Sequence, residues 1–147
     1  MTDTSAALDG LVAAYEALTV ESCGALASLY APDARFKDPF NEVQGRAAIE
    51  RIFRHMFEQV DAPRFVVTAR FAAVDSAMLT WEFHLRFRGE SLARVIRGAS
   101  HLRFDAQGRV SEHRDYWDAA EELYAHLPVL GALMRLLRRR LATPQGS

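Results

Sequence analysis

Only one cysteine, Cys23, stands in this sequence of 147 residues, so no disulfide can close within the chain and the fold must rest on its core. Charge of one sign is also missing. The formal net charge is -1 and the pI is close to 6.5, which argues against nucleic acid as the main partner, because a phosphate backbone demands a clear basic excess. Apolar stretches are interrupted by charged residues well before the length of a membrane span, so stable membrane insertion is not expected. No basic start with an apolar run and a cleavage site opens the chain, and with a lone cysteine this reads as a cytoplasmic protein. His55, His84 and His101 fall on separate elements without ligand spacing, so no metal is expected, and no other cofactor is implied. Repeats, linkers and low-complexity segments are absent too. One domain over 1–147 is expected, with a core at about 8–120 and a basic C-terminal helix at about 119–141.

Half of the residues are hydrophobic, enough for one proper core. Their period changes once along the chain. Leu8, Leu11, Val12, Tyr15 and Leu18 recur at helical spacing behind the possible caps Thr4 and Ser5. A shorter helical piece carrying Leu26, Leu29 and Tyr30 is expected to stop at Pro32, followed by a short strand over 34–38. Gly45 opens a third helix with Ile49, Ile52, Phe53, Met56, Phe57 and Val60 on one side, and Pro63 is expected to end it. From there the period becomes two. Strands are predicted from Val66 to Val74, Met78 to Phe87, Leu92 to Phe104 and Arg109 to Trp117, with turn residues between them. Helices followed by a run of antiparallel strands define an α+β domain whose sheet packs its helices on one face.

Alternation then sorts the strand residues by face. In "MLTWEFHLRFRG" the set Leu79, Trp81, Phe83, Leu85 and Phe87 should meet the helices. In "ARVIRGASHLRF" one face carries Arg94, Ile96, Gly98, Ser100 and Leu102, which includes the small residues a cavity needs. In "RVSEHRDYWD" His113, Asp115 and Trp117 share a face, although the pattern alone does not say which face is inside.

The stretch "ARFKDPFNEVQGRAAIERIF" sets a carboxylate, Asp38, between Phe36 and Phe40 and directly before Pro39. Asp-Pro starts turns, and a carboxylate beside an apolar pocket can also serve as a general base. Both readings stand at this point.

Tyr15 in the first helix, "KDPFNEVQGRAAI" after the first strand, and "LRFDAQGRV" leading into "YW" together resemble the ketosteroid isomerases, within the wider SnoaL-like and nuclear-transport-factor-2-like (NTF2-like) families. The resemblance covers about 8–120. It implies a cone-shaped α+β barrel with a hydrophobic pocket, commonly dimeric, on a scaffold that hosts isomerases, cyclases, hydrolases and proteins without chemistry. It places Asp38 as the base that shuttles a proton between two carbons, Tyr15 as a donor to the oxygen that becomes an enolate, and Trp117 in the pocket lining. Donors aimed at such an oxygen are commonly the largest catalytic term. The second oxyanion donor of the isomerases, a neutral aspartic acid, has Ser100 at its position, a departure that points to reduced isomerase activity or another substrate.

If Trp117 faces the pocket, Asp115 and His113 face it as well and form a new acid/base pair, which would suit a SnoaL-type polyketide cyclase. The residue set of the limonene-epoxide hydrolases is not matched, since the corresponding strand gives Gly98-Ala99-Ser100. The lining expected for an apolar substrate is Trp117, Trp81, Phe83, Ile96 and Phe53. Each residue also has a structural alternative: Asp38 as a turn aspartate, Tyr15 as a core tyrosine, Asp115 paired with an arginine, His113 as a strand histidine. The tail "LPVLGALMRLLRRRL" combines leucines at helical spacing with a cationic end, as at a membrane surface; the helix dipole also favours arginines there, and the preferred reading is a helix covering the barrel mouth as a lid, or a dimer interface. The expected partner is a small apolar molecule, with a homodimer as the assembly. Two functional classes follow: an isomerase or cyclase, or a non-catalytic binding module in which Asp38 is tied up by an arginine or a backbone amide.

Overall fold

A computed structural model describes residues 4–124 and 128–142 of the chain. They form two compact units, Met1–Trp117 and Asp118–Ser147.

The first unit opens with α1 (Thr4–Glu16), whose Leu8, Leu11, Val12 and Tyr15 are buried, as the helical spacing requires. Thr4 ties its start to the segment that follows Ala72 by donating from Oγ1 to the Val74 carbonyl at 2.5 Å. The next helix, α2 (Cys23–Ala27), is a single buried turn and a half. It ends earlier than its leucines suggest. Tyr30 begins β1 (Tyr30–Lys37) instead of closing the helix, and Pro32 lies inside that strand. The strand tolerates the proline because its pairing slips between Tyr30 and Arg35, so no ladder bond from Pro32 is needed.

A three-residue strand, β2 (Glu42–Gln44), folds back on β1, too short to leave a period in the sequence. Gly45, at φ 100°, then turns the chain into α3 (Arg46–Gln59), with Ile49 and Phe53 buried. Pro63 does not terminate this helix. The helix stops at Gln59 and β3 (Val60–Ala72) starts at once, with Pro63 held in a register shift between Asp61 and Arg64 where Ala62 has φ 50°. Three further strands, β4 (Ser76–Phe87), β5 (Arg94–Phe104) and β6 (Val110–Tyr116), run close to their predicted bounds.

The six strands make one sheet in the order β2-β1-β6-β5-β4-β3, antiparallel except where β1 meets β6. The main core joins α1, α2 and α3 to the inner face of this sheet through Leu8, Leu11, Leu26, Ile49, Leu79 and Leu102. A second cluster centres on Val60, Leu85 and Ile96, with Met56, Phe83, Phe87 and Trp117 packed against it while still partly exposed. The fold is α+β, although the order expected from the sequence is interrupted: β1 and β2 come before α3, and the long strands follow it.

The second unit consists of α4 (Ala119–Glu122), capped by the Asp118 carboxylate on the Glu121 N–H at 3.0 Å, and α5 (Pro128–Leu141). The predicted continuous helix from Ala119 to Leu141 is therefore two pieces, and 125–127 lie outside the described residues. No described helix is long and apolar enough to cross a membrane.

Candidate active site

Strand register brings the polar groups of the inner face together. Ser100 of β5 pairs with Asp115 of β6, and His113 sits between Leu102 of β5 and Phe36 of β1. Partners in register point to the same face, so Ser100, Asp115 and His113 line up toward the helices. From the other side α1 supplies Tyr15, and the first residue of β1 supplies Tyr30. Arg46 fixes that residue by donating from Nε and Nη2 to its carbonyl at 3.0 and 2.6 Å.

These side chains form one hydrogen-bonded chain. Trp81 Nε1 donates to Ser100 Oγ at 2.8 Å, and Ser100 Oγ donates to Asp115 Oδ1 at 2.5 Å. His113 Nε2 lies 2.6 Å from the same carboxylate oxygen, and its Nδ1 lies 2.7 Å from the Tyr30 hydroxyl and 3.2 Å from that of Tyr15. The Tyr15 and Tyr30 hydroxyls also contact each other. With an ionised carboxylate, which only accepts, and a neutral imidazole, the His113 proton sits on Nε2, Nδ1 accepts from Tyr30, and Tyr15 donates to the Tyr30 oxygen. Every proton in the chain then points toward Asp115. Tyr15, Tyr30, Ser100 and His113 are all buried, and among the described residues no buried side-chain nitrogen or oxygen lacks a partner. Burial pushes both phenols well above their usual range, and the neighbouring hydroxyl and the Asp115 charge add to this for Tyr15. Both remain neutral donors at any ordinary pH.

Beside this polar row lies an aromatic surface. Phe65 and Phe83 stack at 4.5 Å, and Trp81 meets Phe65 edge-on at 6.4 Å. Gly98 makes this possible: a Cβ there would lie 2.6 Å from Cζ2 and Cη2 of Trp81 and 3.0 Å from Cβ of Trp117. The indole therefore lies directly over the β5 backbone, and its N–H reaches Ser100. Ile96 is buried in the same region. Phe53 is a core residue, packed against Tyr15 at 5.7 Å and Phe36 at 6.0 Å. A small cavity of about 30 Å³ reaches Tyr15 from another direction, between Leu18, Met56, Phe57, Pro63 and Phe65. It has room for a water or two.

Asp38 stands apart from the hydrogen-bonded row. Its Oδ1 accepts from the N–H groups of Phe40 at 2.8 Å and Asn41 at 2.6 Å, and the Asn41 side-chain amide contacts both carboxylate oxygens at 3.2 and 3.1 Å. These are the contacts of a turn aspartate. The turn itself adjoins the aromatic surface, because Phe40 packs edge-on against Trp117 at 5.6 Å.

The structure thus brings together Tyr15, Ser100, His113 and Asp115, which the sequence singles out, and leaves Asp38 in the neighbouring turn. Tyr30 is the residue that sequence reasoning missed, through its assignment to a helix. Read as the start of a strand, "YAPDARF" would have set its ring beside the strand that carries His113. Trp81 was expected as lining only; its N–H makes it part of the polar chain.

A mixed six-stranded sheet with helices packed on one face is an α+β architecture. The chain belongs to the SnoaL-like domain family, which residues 11–113 match. It is 30% identical over 116 residues to a steroid Δ-isomerase of Nocardioides simplex, an alignment that covers 77% of this chain and 91% of that protein. Among solved structures it resembles an NTF2-like protein of Burkholderia thailandensis, with a TM-score of 0.71, 18% identity and coverage of 92% of this chain and 98% of the other. It also resembles a candidate SnoaL-like polyketide cyclase of Shewanella denitrificans, with a TM-score of 0.67, 20% identity and coverage of 82% and 96%.

Proposed function

We propose that the protein is an acid–base enzyme that moves a proton next to the carbonyl group of a small apolar molecule, as an isomerase or as a cyclase of the polyketide type. The observation that carries this reading is the convergence of Ser100 and His113 on one oxygen of Asp115 beside an aromatic surface. Both contacts fall on Oδ1, which leaves Oδ2 as the proton acceptor. The substrate C–H bond breaks, its electron pair moves into the carbonyl to give an enolate, and the proton passes to Asp115. Returned to a different carbon, the proton completes an isomerisation; attack of the enolate carbon on a second carbonyl, whose oxygen then takes the proton back from Asp115, would complete a cyclisation. Tyr15, held neutral by burial, would turn its one hydroxyl proton from the Tyr30 oxygen to the enolate oxygen when substrate binds, and Ser100 would act as an auxiliary donor only by turning its proton away from Asp115 in the same way. Phe83, Trp81 and Trp117 hold the apolar body of the substrate.

The family resemblance assigns the base to Asp38 instead. Its turn contacts favour Asp115, and they also support a second reading in which the domain binds an apolar ligand without chemistry. The relative named steroid Δ-isomerase supplies the first substrate to try. Conversion of a β,γ-unsaturated 3-ketosteroid to its conjugated isomer is followed by absorbance for the wild type, Asp115→Asn and Asp38→Asn. Loss of turnover in Asp115→Asn, with Asp38→Asn active, is the expected result. The reverse pattern moves the base to Asp38, and ligand binding without turnover in any of the three supports the binding module.

A further inference from the structure

The catalytic reading leaves α5 without a use. Beyond Glu122 the sequence has no acidic residue, while Arg135, Arg138, Arg139 and Arg140 are gathered near its end. With a net charge of -1 overall, the rest of the chain carries five more acidic than basic side chains. At about 3.6 residues per turn, Leu130, Leu133, Leu137 and Leu141 stack along one stripe of α5, whereas Arg135 and Arg139 fall on the opposite side and Arg138 and Arg140 flank the stripe. Along this stripe Leu130 is half-buried, whereas Leu133 and Leu137 are 49% and 43% exposed and Leu141 is 83% exposed.

The helix dipole accounts for arginines in the last turn but not for leucines left in water opposite them. A nucleic acid would take the arginines and leave the leucines uncovered. A second copy of the helix would cover the leucines but offer the arginines no counter-charge, because α5 carries no acidic residue. An anionic bilayer satisfies both faces at once, with leucines at the acyl boundary and guanidinium groups among the phosphates, the flanking arginines reaching up from their apolar stems. We propose that α5 docks the protein on anionic phospholipid membranes, lying in the plane of the surface. Its 14 residues span about 21 Å, short of the hydrocarbon core, so it rests on the membrane rather than crossing it. This inference is independent of the catalytic reading.

The test is sedimentation of the full chain with large vesicles of phosphatidylcholine alone or mixed with phosphatidylglycerol, at low and high salt. Binding is expected to the phosphatidylglycerol vesicles only and to fall as salt rises. Arg138→Glu with Arg139→Glu should weaken it on the order of tenfold or more, and Leu133→Ser with Leu137→Ser should weaken it while leaving the thermal melt unchanged. Equal or no binding to both vesicle types would overturn the proposal. So would binding that the leucine changes leave intact, a lower melting temperature in the leucine variant, or a dimer in solution that this variant converts to monomer.

Discussion

Gly98→Ala probes the packing on which the polar row depends. The new methyl carbon would sit 2.6 Å from two ring carbons of Trp81 and 3.0 Å from Trp117 Cβ, roughly a full ångström inside the normal carbon contact distance. The β5 backbone is held by β4 and β6 on either side, so the indole is the part that moves. Overpacking of this kind costs about 1–3 kcal/mol. Swinging the ring away also breaks the 2.8 Å bond from Trp81 Nε1 to Ser100, a further loss of about 1 kcal/mol. The sum, about 2–4 kcal/mol, is readable as a shift of the urea midpoint with an unchanged slope. The cause is isolated by repeating the change in a Trp81→Leu background, where no ring remains to be struck. There Gly98→Ala should cost little, so the two changes should couple by about 2 kcal/mol. An equal cost in both backgrounds would mean that Gly98 matters through its backbone and not through the indole above it, and the reasoning would fail.

Other expectations follow from the buried row and the turns. Tyr15 and Tyr30 have folded-state values above the ordinary phenol value of 10.0, so the stability they contribute is complete below that pH and is lost as pH rises above it. An alkaline titration of tyrosinate absorbance should therefore show two of the four tyrosines ionising only as the protein unfolds; smooth ionisation of all four in the folded state would contradict their placement. His113→Phe keeps the ring volume but strips Tyr30 and Asp115 of a partner, and should lower stability by about 2–4 kcal/mol in urea melts. Asp105, opposed by slight desolvation but held by hydrogen bonds from Arg109 and Gln107, has its carboxyl below the ordinary value of 3.8. Its contribution is present above that pH and lost as pH falls through the depressed folded value, so the gap between wild type and Asp105→Asn should be seen in melts at neutral pH and close under strong acid.

Much of this was legible in the chain. The alternation of Leu79, Trp81, Phe83 and Leu85 gives the inner face of β4 directly, and the i, i+2 spacing of His113 and Asp115 places them on one side of β6. Gly45 announces the entry to α3, and "DPFN" announces the turn that its aspartate closes. What misled the reading was proline. Pro32 and Pro63 look like stops, yet each sits within a strand at a slip in pairing, where its missing N–H costs no ladder bond. That error hid Tyr30, because a residue assigned to a helix is not aligned with a strand histidine. The bond from Trp81 to Ser100 was out of reach for a different reason. Alternation says which face a residue occupies, but the diagonal contact depends on the register between β4 and β5 and on the bare backbone at Gly98. Asp38 shows the limit of a motif: the residue is where the resemblance puts it, and its hydrogen bonds are those of the turn.

Asp115 is the proposed proton acceptor. The most direct test is incorporation of deuterium from heavy water into a bound apolar ketone at the carbon next to the carbonyl, followed by mass spectrometry, for wild type, Asp115→Asn and Asp38→Asn. This exchange needs only binding and proton removal, not a substrate with the correct double bond. The account predicts exchange in the wild type and in Asp38→Asn and its loss in Asp115→Asn. Exchange at the wild-type rate in Asp115→Asn would contradict it.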